Sequence, residues 1–182
     1  MALDTLILDR LTADRSALDF SIVLETAGLN GRVLELTDRA FGPGRFVKTA
    51  ERLREHSAPL ADLSFVAMRG EDLLGSVRLW PIFVFDEKAN HYEPLAFLGP
   101  IVVDDAVRGL GIGKQLINAS LEASFSKGLR AVLLVGSQTY FKPFGFEKAD
   151  DITLPGPVDA NRVLIRYSAN NLKFHGRVGK VV

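Results

Sequence analysis

The chain has no cysteine among its 182 residues. Disulfides, thiolate metal sites and a cysteine nucleophile are therefore excluded, and a reducing compartment suits it. It has no excess charge of either sign, since 22 lysines and arginines balance 22 aspartates and glutamates. No global field draws it to nucleic acid or to an acidic membrane. Its three histidines, His56, His91 and His175, show no metal-ligand spacing. No apolar run approaches the roughly 18 residues of a membrane span. The opening MALDTLILDRLTADR lacks a basic leader and is interrupted by acids, unlike a secretory signal. Asn118-Ala119-Ser120 matches a glycosylation acceptor but falls inside an expected helix and is set aside. These absences predict a soluble cytoplasmic protein with no metal, no membrane and no nucleic-acid partner.

Apolar residues make up 47% of the chain, enough for one domain over 1–182 with a sizeable core, and Met1–Ala17 reads as an extension. The pattern predicts a strand in Leu18–Thr26 and a helix in NGRVLELTDRAFG, with Val33, Leu34, Leu36 and Ala40 inward. A second, charged helix follows in RFVKTAERLREH, burying Phe46, Ala50 and Leu53. Strands are expected at Leu63–Gly70, Ser76–Phe85 and Pro94–Val103, with DEKANHYE as a hairpin loop. Pro81 interrupts the second of these and predicts an edge, a bulge or an early end there, and Gly99-Pro100 in the third predicts a bulge or splay. Arg130–Gly136 and Ala160–Ser168 read as further strands, TYFKPFGFEKA as a helical turn leading into one, and LKFHGRVGKVV is ambiguous. The expected fold is α/β (α+β), a mixed, mainly antiparallel central sheet splayed at its fourth strand, with helices on both faces. Trp80, Phe83, Phe85 and Phe97 are expected mostly in its core, with an acceptor cleft as the alternative.

Chemistry gathers in VDDAVRGLGIG, Val103–Gly113, between a buried strand and an amphipathic helix that carries Leu116, Ile117, Leu121 and Phe125 and stops at Gly128. The first amides of a helix have no internal partners and lie at the positive end of its dipole. Glycines let a guest approach those amides, which makes an anion site suited to phosphate, with Arg108 adding a charged contact. A Walker loop fails, because Gly113-Lys114 is followed by Gln115 and Arg108 replaces the first glycine. A dinucleotide fingerprint fails on spacing and on its late position. A bare strand-to-helix turn would not need three alternating glycines, each costing about 1 kcal/mol against alanine in a helical turn.

Arg108-Gly109-Leu110-Gly111-Ile112-Gly113 resembles the R-x-x-G-x-G signature of the GNAT family of N-acetyltransferases. LGPIVV resembles the family's splayed fourth strand, and YFKPFGF its late aromatic-x-x-x-Gly-Phe segment. The likeness is best over 63–149, and LLVGSQTYFKPFGF is most similar to a bacterial YhbS-like branch.

The resemblance implies acetyl-CoA or CoA as co-substrate, with pyrophosphate on the amides of Gly109, Leu110, Gly111, Ile112, Gly113 and Lys114. It implies the pantetheine arm against Ile101, Val102 and Val103, and contact with Phe141. Without a cysteine, acyl transfer would be direct attack by a primary amine in a ternary complex, and the amine must first lose a proton. The chain departs from the family at two points. PLAFLGPIVV holds no acid, which leaves Glu93, preceded by His91 and Asp86, as a weak base candidate in an expected loop. The family's tyrosine position is Phe141, so Tyr140 and Ser137 stand as the candidate acids for the leaving thiolate. These departures keep two alternatives open: a CoA-binding sensor without catalysis, and an N-acyltransferase that takes its acyl group from acyl carrier protein. The acceptor is a small-molecule amine or a peptide or protein amine, and a homodimer stays open.

Overall fold

Long stretches that alternate between two apolar faces make the sheet. The computed structural model describes residues 19–43 and 49–181. Among these, nine strands form one sheet: β1 (Ser21–Leu24), β2 (Phe65–Arg69), β3 (Asp72–Asp86), β4 (His91–Val103), β5 (Ala131–Val135), β6 (Glu147–Lys148), β7 (Ile152–Thr153), β8 (Val163–Tyr167) and β9 (Gly176–Lys180). The spatial order is β1-β2-β3-β4-β5-β8-β6, with β9 also on β3 and β7 on β9. Only the β4–β5 and β7–β9 pairings are parallel. Helices are α1 (Asn30–Phe41), α2 (Thr49–Arg52), α3 (Ile112–Ser126) and α4 (Gln138–Phe141).

A parallel neighbour requires a crossover, and α3 supplies it between β4 and β5. Ala96 and Leu98 of β4 turn to α3, packing with Leu116, Ile117 and Leu121. Leu95 and Phe97 point the other way, into a second cluster with Leu133, Ile165 and Leu53. Arg78 lies between Val77 and Leu79, which face α3, so it points to the opposite face. There its guanidinium donates to Glu25 (Nε–Oε2 2.9 Å) and to Asn30 at the start of α1 (2.9 Å). Helices thus cover both faces of the mixed, mainly antiparallel sheet.

The splay has a countable origin. Val77 pairs with Ile101 and Leu79 with Leu98, so two steps on β3 oppose three on β4. The surplus residue is taken up at Gly99-Pro100, and the Trp80 indole N–H donates to the Gly99 carbonyl at 2.7 Å. The recorded β4–β5 pairing consists of Ala96↔Val132 and Phe97↔Leu133. Among the described residues, no strand pairs with β4 on its β5 side from Leu98 to Val103.

Several expectations shift. Leu34 is 38% exposed, and Thr37 takes its place in the core because its hydroxyl donates to the Val33 carbonyl at 2.7 Å. The described part of the second helix is one turn, Thr49–Arg52, followed by turns up to His56. Leu53 is buried there as expected and Ala50 partly so, while Phe46 and the Met1–Ala17 extension lie outside the described residues. Pro81 sits between the β2-paired and β9-paired stretches of β3, where no described strand needs its missing N–H. Leu60 and the Ser64 hydroxyl bond Leu79 across that gap (2.7 and 3.1 Å). The hairpin loop is shorter than expected. His91, Tyr92 and Glu93 are strand residues opposite Asp86, Phe85 and Val84, and Tyr92 stacks on Phe85 (4.4 Å between centroids). Ala160–Arg162 is a helical turn before β8, and the ambiguous tail forms β9.

Candidate active site

The site begins where β4 leaves the sheet. Asp104 accepts the Ala106 N–H at 3.0 Å and the Arg39 guanidinium at 3.3 Å, which fixes the turn into the glycine loop. Gly109 (φ +87°) and Gly111 (φ +78°) adopt left-handed backbone that glycine takes without strain. A Cβ on either would meet nothing within 4 Å. These glycines therefore do not serve close packing, and the space they leave lies in front of the α3 N-terminus. Gly111 caps α3 and brings no side chain to occupy its first amides. An anion there would meet N–H groups and the positive dipole end together.

A cavity of about 1100 Å³ joins this loop to the splay. Its walls include Gly109, Gly111 and Gly113 at one end, Gly99–Val103 along the unpaired β4 edge, and Thr49–Glu51, Arg54 and Pro157–Asp159 beyond. The volume slightly exceeds the roughly 300–1,000 Å³ of small-ligand pockets, as a long ligand would need.

Most residues singled out from the sequence meet at this cavity. Arg108, Gly109, Gly111, Ile112, Gly113 and Lys114 line it, as do Ile101, Val102, Val103, Ser137, Tyr140 and Phe141. Ile112 is buried, so its backbone faces the space while its side chain joins the core. Leu110 does not line the cavity; its side chain packs on the α3 cluster. Arg108 forms an exposed ion pair with Asp105 at 2.5 Å. Phe141 leans on the core, close to Gly136 and edge-on to Phe146. The Tyr140 hydroxyl lies 3.1 Å from where a Gly113 Cβ would be, so it sits over the first turn of α3. Ser137 is exposed at the start of α4.

Glu93 departs from expectation. It is 7% exposed and accepts from Arg130 at 2.6 Å, with His91 at 3.5 Å. It is not among the cavity residues. It lies six residues from Gly99, about 20 Å along a strand, because the hairpin extends as ladder rather than loop. Trp80 and Phe97 are core residues, while Phe83 and Phe85 pack with Tyr92 at the far end of the hairpin.

Sequence reasoning placed a helix at α2 but missed its part in the cavity. Glu51 and Arg54 line the cavity and bond each other at 3.0 Å, with Arg54 5.3 Å over the Phe97 ring. The T-A-E-R-L-R stretch shows an i,i+3 pair common on solvated helices, so only the tertiary packing reveals it. Asp159 and Arg162 were missed likewise. Among the described residues no group of three or more His, Asp and Glu could hold a metal ion, and no helix is long and apolar enough to cross a membrane.

The family model described as the acetyltransferase (GNAT) family matches residues 31–146, well over half of the chain. The chain belongs to this family. This acetyltransferase is 29% identical over 127 residues to the uncharacterized N-acetyltransferase YjhQ of Escherichia coli (strain K12), covering 69% of the chain and 68% of YjhQ. It is 31% identical over 117 residues to the uncharacterized N-acetyltransferase YhbS of the same strain, covering 63% of the chain and 65% of YhbS, just under two thirds. The crystal structure of E. coli YhbS in complex with CoA has a TM-score of 0.71 at 25% identity, over 87% of this chain and 88% of that one. A GNAT family acetyltransferase from Brucella melitensis in complex with acetyl-CoA has a TM-score of 0.66 at 22% identity, over 90% and 96%, a likeness of fold.

Proposed function

We propose that this acetyltransferase moves an acetyl group from acetyl-CoA to a primary amine by direct attack in a ternary complex. The observation that carries this reading is the continuity of one cavity from the α3 N-terminus to the unpaired edge of β4. The two ends suit the two ends of the donor. Amides of Gly109–Lys114 and the Arg108 guanidinium would hold the pyrophosphate. The free β4 backbone at Ile101 and Val103 would bond the pantetheine amides as an added strand does. A β4 N–H aimed at the thioester oxygen would stabilise the charge that develops there during attack. The YhbS–CoA and Brucella acetyl-CoA complexes support the choice of donor.

The position of Tyr140 over Gly113 favours a role at the phosphate end rather than as acid for the thiolate. Departure without a dedicated acid is chemically reasonable, because a thiol of pKa about 8.5 leaves readily. Titrating the protein with acetyl-CoA by calorimetry, then following thiol release with small amines and peptides, tests the reading. Binding with acceptor-dependent thiol release is expected. Binding without release across amines and peptides turns the reading to a CoA sensor. Competition by acyl carrier protein but not by free CoA turns it to a carrier-dependent acyltransferase.

A further inference from the structure

An acceptor amine is an ammonium at neutral pH, and it must reach the thioester neutral. Two carboxylates, Glu51 and Asp159, stand among the described residues of the cavity wall. Asp159 is exposed and accepts the Asn161 N–H at 2.9 Å, capping its own turn. Glu51 is different. Its side chain is only 15% exposed, and it is held 3.0 Å from Arg54, itself 11% exposed. Arg54 Nη2 lies 3.1 Å from the point a Gly99 Cβ would occupy, which brings the pair beside the β4 bulge. Arg54 is fixed from below by the Phe97 ring. The Thr49 hydroxyl donates to the Pro157 carbonyl at 2.6 Å, tying α2 to the opposite wall. A semi-buried ion pair is weak evidence of a stabilising role, since well-packed apolar residues often serve as well. Its place on a ligand cavity, beside the opening of the sheet, calls for another explanation.

We propose that Glu51 receives the acceptor's ammonium and takes its proton, with Arg54 as the positioning residue. This rests on the acetyl-transfer reading above. The Glu51 carboxylate accepts one proton from R–NH3+, leaving R–NH2, and later returns that proton to solvent. The nitrogen lone pair forms the C–N bond to the thioester carbon and the C–S bond breaks, its electron pair leaving on sulfur. A second nitrogen proton ends on the departing thiolate, giving the amide and CoA thiol, so one proton is released per turnover. Among the described residues, the other charged or titratable groups on the cavity wall are Arg54, Arg108, Lys114, Tyr140, Asp159 and Arg162. The cations outnumber the acids there, so a bare ammonium needs Glu51 to enter.

The test compares wild type, Glu51→Gln and Glu51→Asp with acetyl-CoA and a panel of benzylamine, spermidine and glycinamide. The expected kcat/KM for Glu51→Gln at pH 7 is at least 100-fold below wild type, with acetyl-CoA affinity within threefold by calorimetry. Wild-type kcat/KM should be nearly flat from pH 6 to 8. That of Glu51→Gln should climb about tenfold per pH unit, because only the pre-neutralised amine serves it, and Glu51→Asp should recover part of the rate. Binding of the same amines to the CoA-loaded protein should weaken at least tenfold in Glu51→Gln. A folded Glu51→Gln variant within threefold of wild type, or one whose deficit is the same at every pH, overturns the assignment. Failure of the wild type to bind acetyl-CoA overturns the donor reading itself, and the Glu51 assignment falls with it.

Discussion

Gly111 holds a left-handed φ of +78° with empty space where a side chain would point. Valine there carries a strain of about 1–2 kcal/mol and sets its methyl groups in front of the α3 amides. We expect Gly111→Val to remain folded, melting about 3–6 °C lower, and to lose acetyl-CoA affinity at least 100-fold by calorimetry. Unchanged affinity in the folded variant removes the phosphate role from the loop. Arg108→Ala should cost less, about 1.5 kcal/mol or roughly tenfold in Kd, because Arg108 is exposed and already shared with Asp105. Tyr140 permits a cleaner distinction. Its hydroxyl lies near Gly113, so Tyr140→Phe should raise the Kd for CoA a few-fold and leave kcat within tenfold. A fall of 100-fold or more in kcat with CoA affinity intact makes Tyr140 the acid after all, since such groups contribute about 10²–10⁴.

The β3–β4 hairpin is closed by Asp86, whose carboxylate accepts from the Lys88 and Ala89 amides (2.9 and 3.1 Å) and meets His175 at 2.8 Å. The Ala89 amide does most to hold its pKa below the usual carboxylate range, opposed by desolvation and helped by the Lys88 amide and the charges of His175 and Lys88. A carboxyl depressed on folding stabilises above its unfolded pKa and loses that contribution as pH falls through the lower folded value. Melting temperature should therefore fall less steeply below about pH 4 in Asp86→Ala than in wild type, from a lower plateau at pH 7. Buried Arg78 links β3 to Glu25 and Asn30 in a harsher way. Removing one partner, as in Glu25→Ala, leaves a buried charge and should cost about 3–5 kcal/mol in urea denaturation. The helix α3 and its loop were legible because their signals are local: a 3.6-residue stripe, a glycine entry and Gly128 as the stop. The hairpin tip reads as a loop in the sequence because His91, Tyr92 and Glu93 continue the polar run from Asp86, whereas cross-strand stacking of Tyr92 on Phe85 extends the ladder. Glu51 was illegible for a related reason. A charged helical turn looks solvated until Gly99 and Phe97 are known to lie against it.

Across the molecule, the mixed sheet, the splay and the helices on both faces rest on elements whose own sequence patterns mark them one by one. The exception is β9. Its LKFHGRVGKVV segment mixes four basic residues and two glycines with five apolar ones, and only contact with a distant partner decides its state. Ile82 to Phe85 of β3 pair with Arg177 to Lys180, nearly a hundred residues further along the chain. That separation bears on how the protein is born. A ribosome adding about 5–20 residues per second leaves this side of β3 bare for on the order of 5–20 s, with Phe83 and Phe85 on an open ladder. Exposed apolar strand edges are templates for unwanted pairing. The nascent chain is thus most vulnerable after its glycine loop has been made and before β9 arrives, a window in which a holding chaperone would have the most to protect.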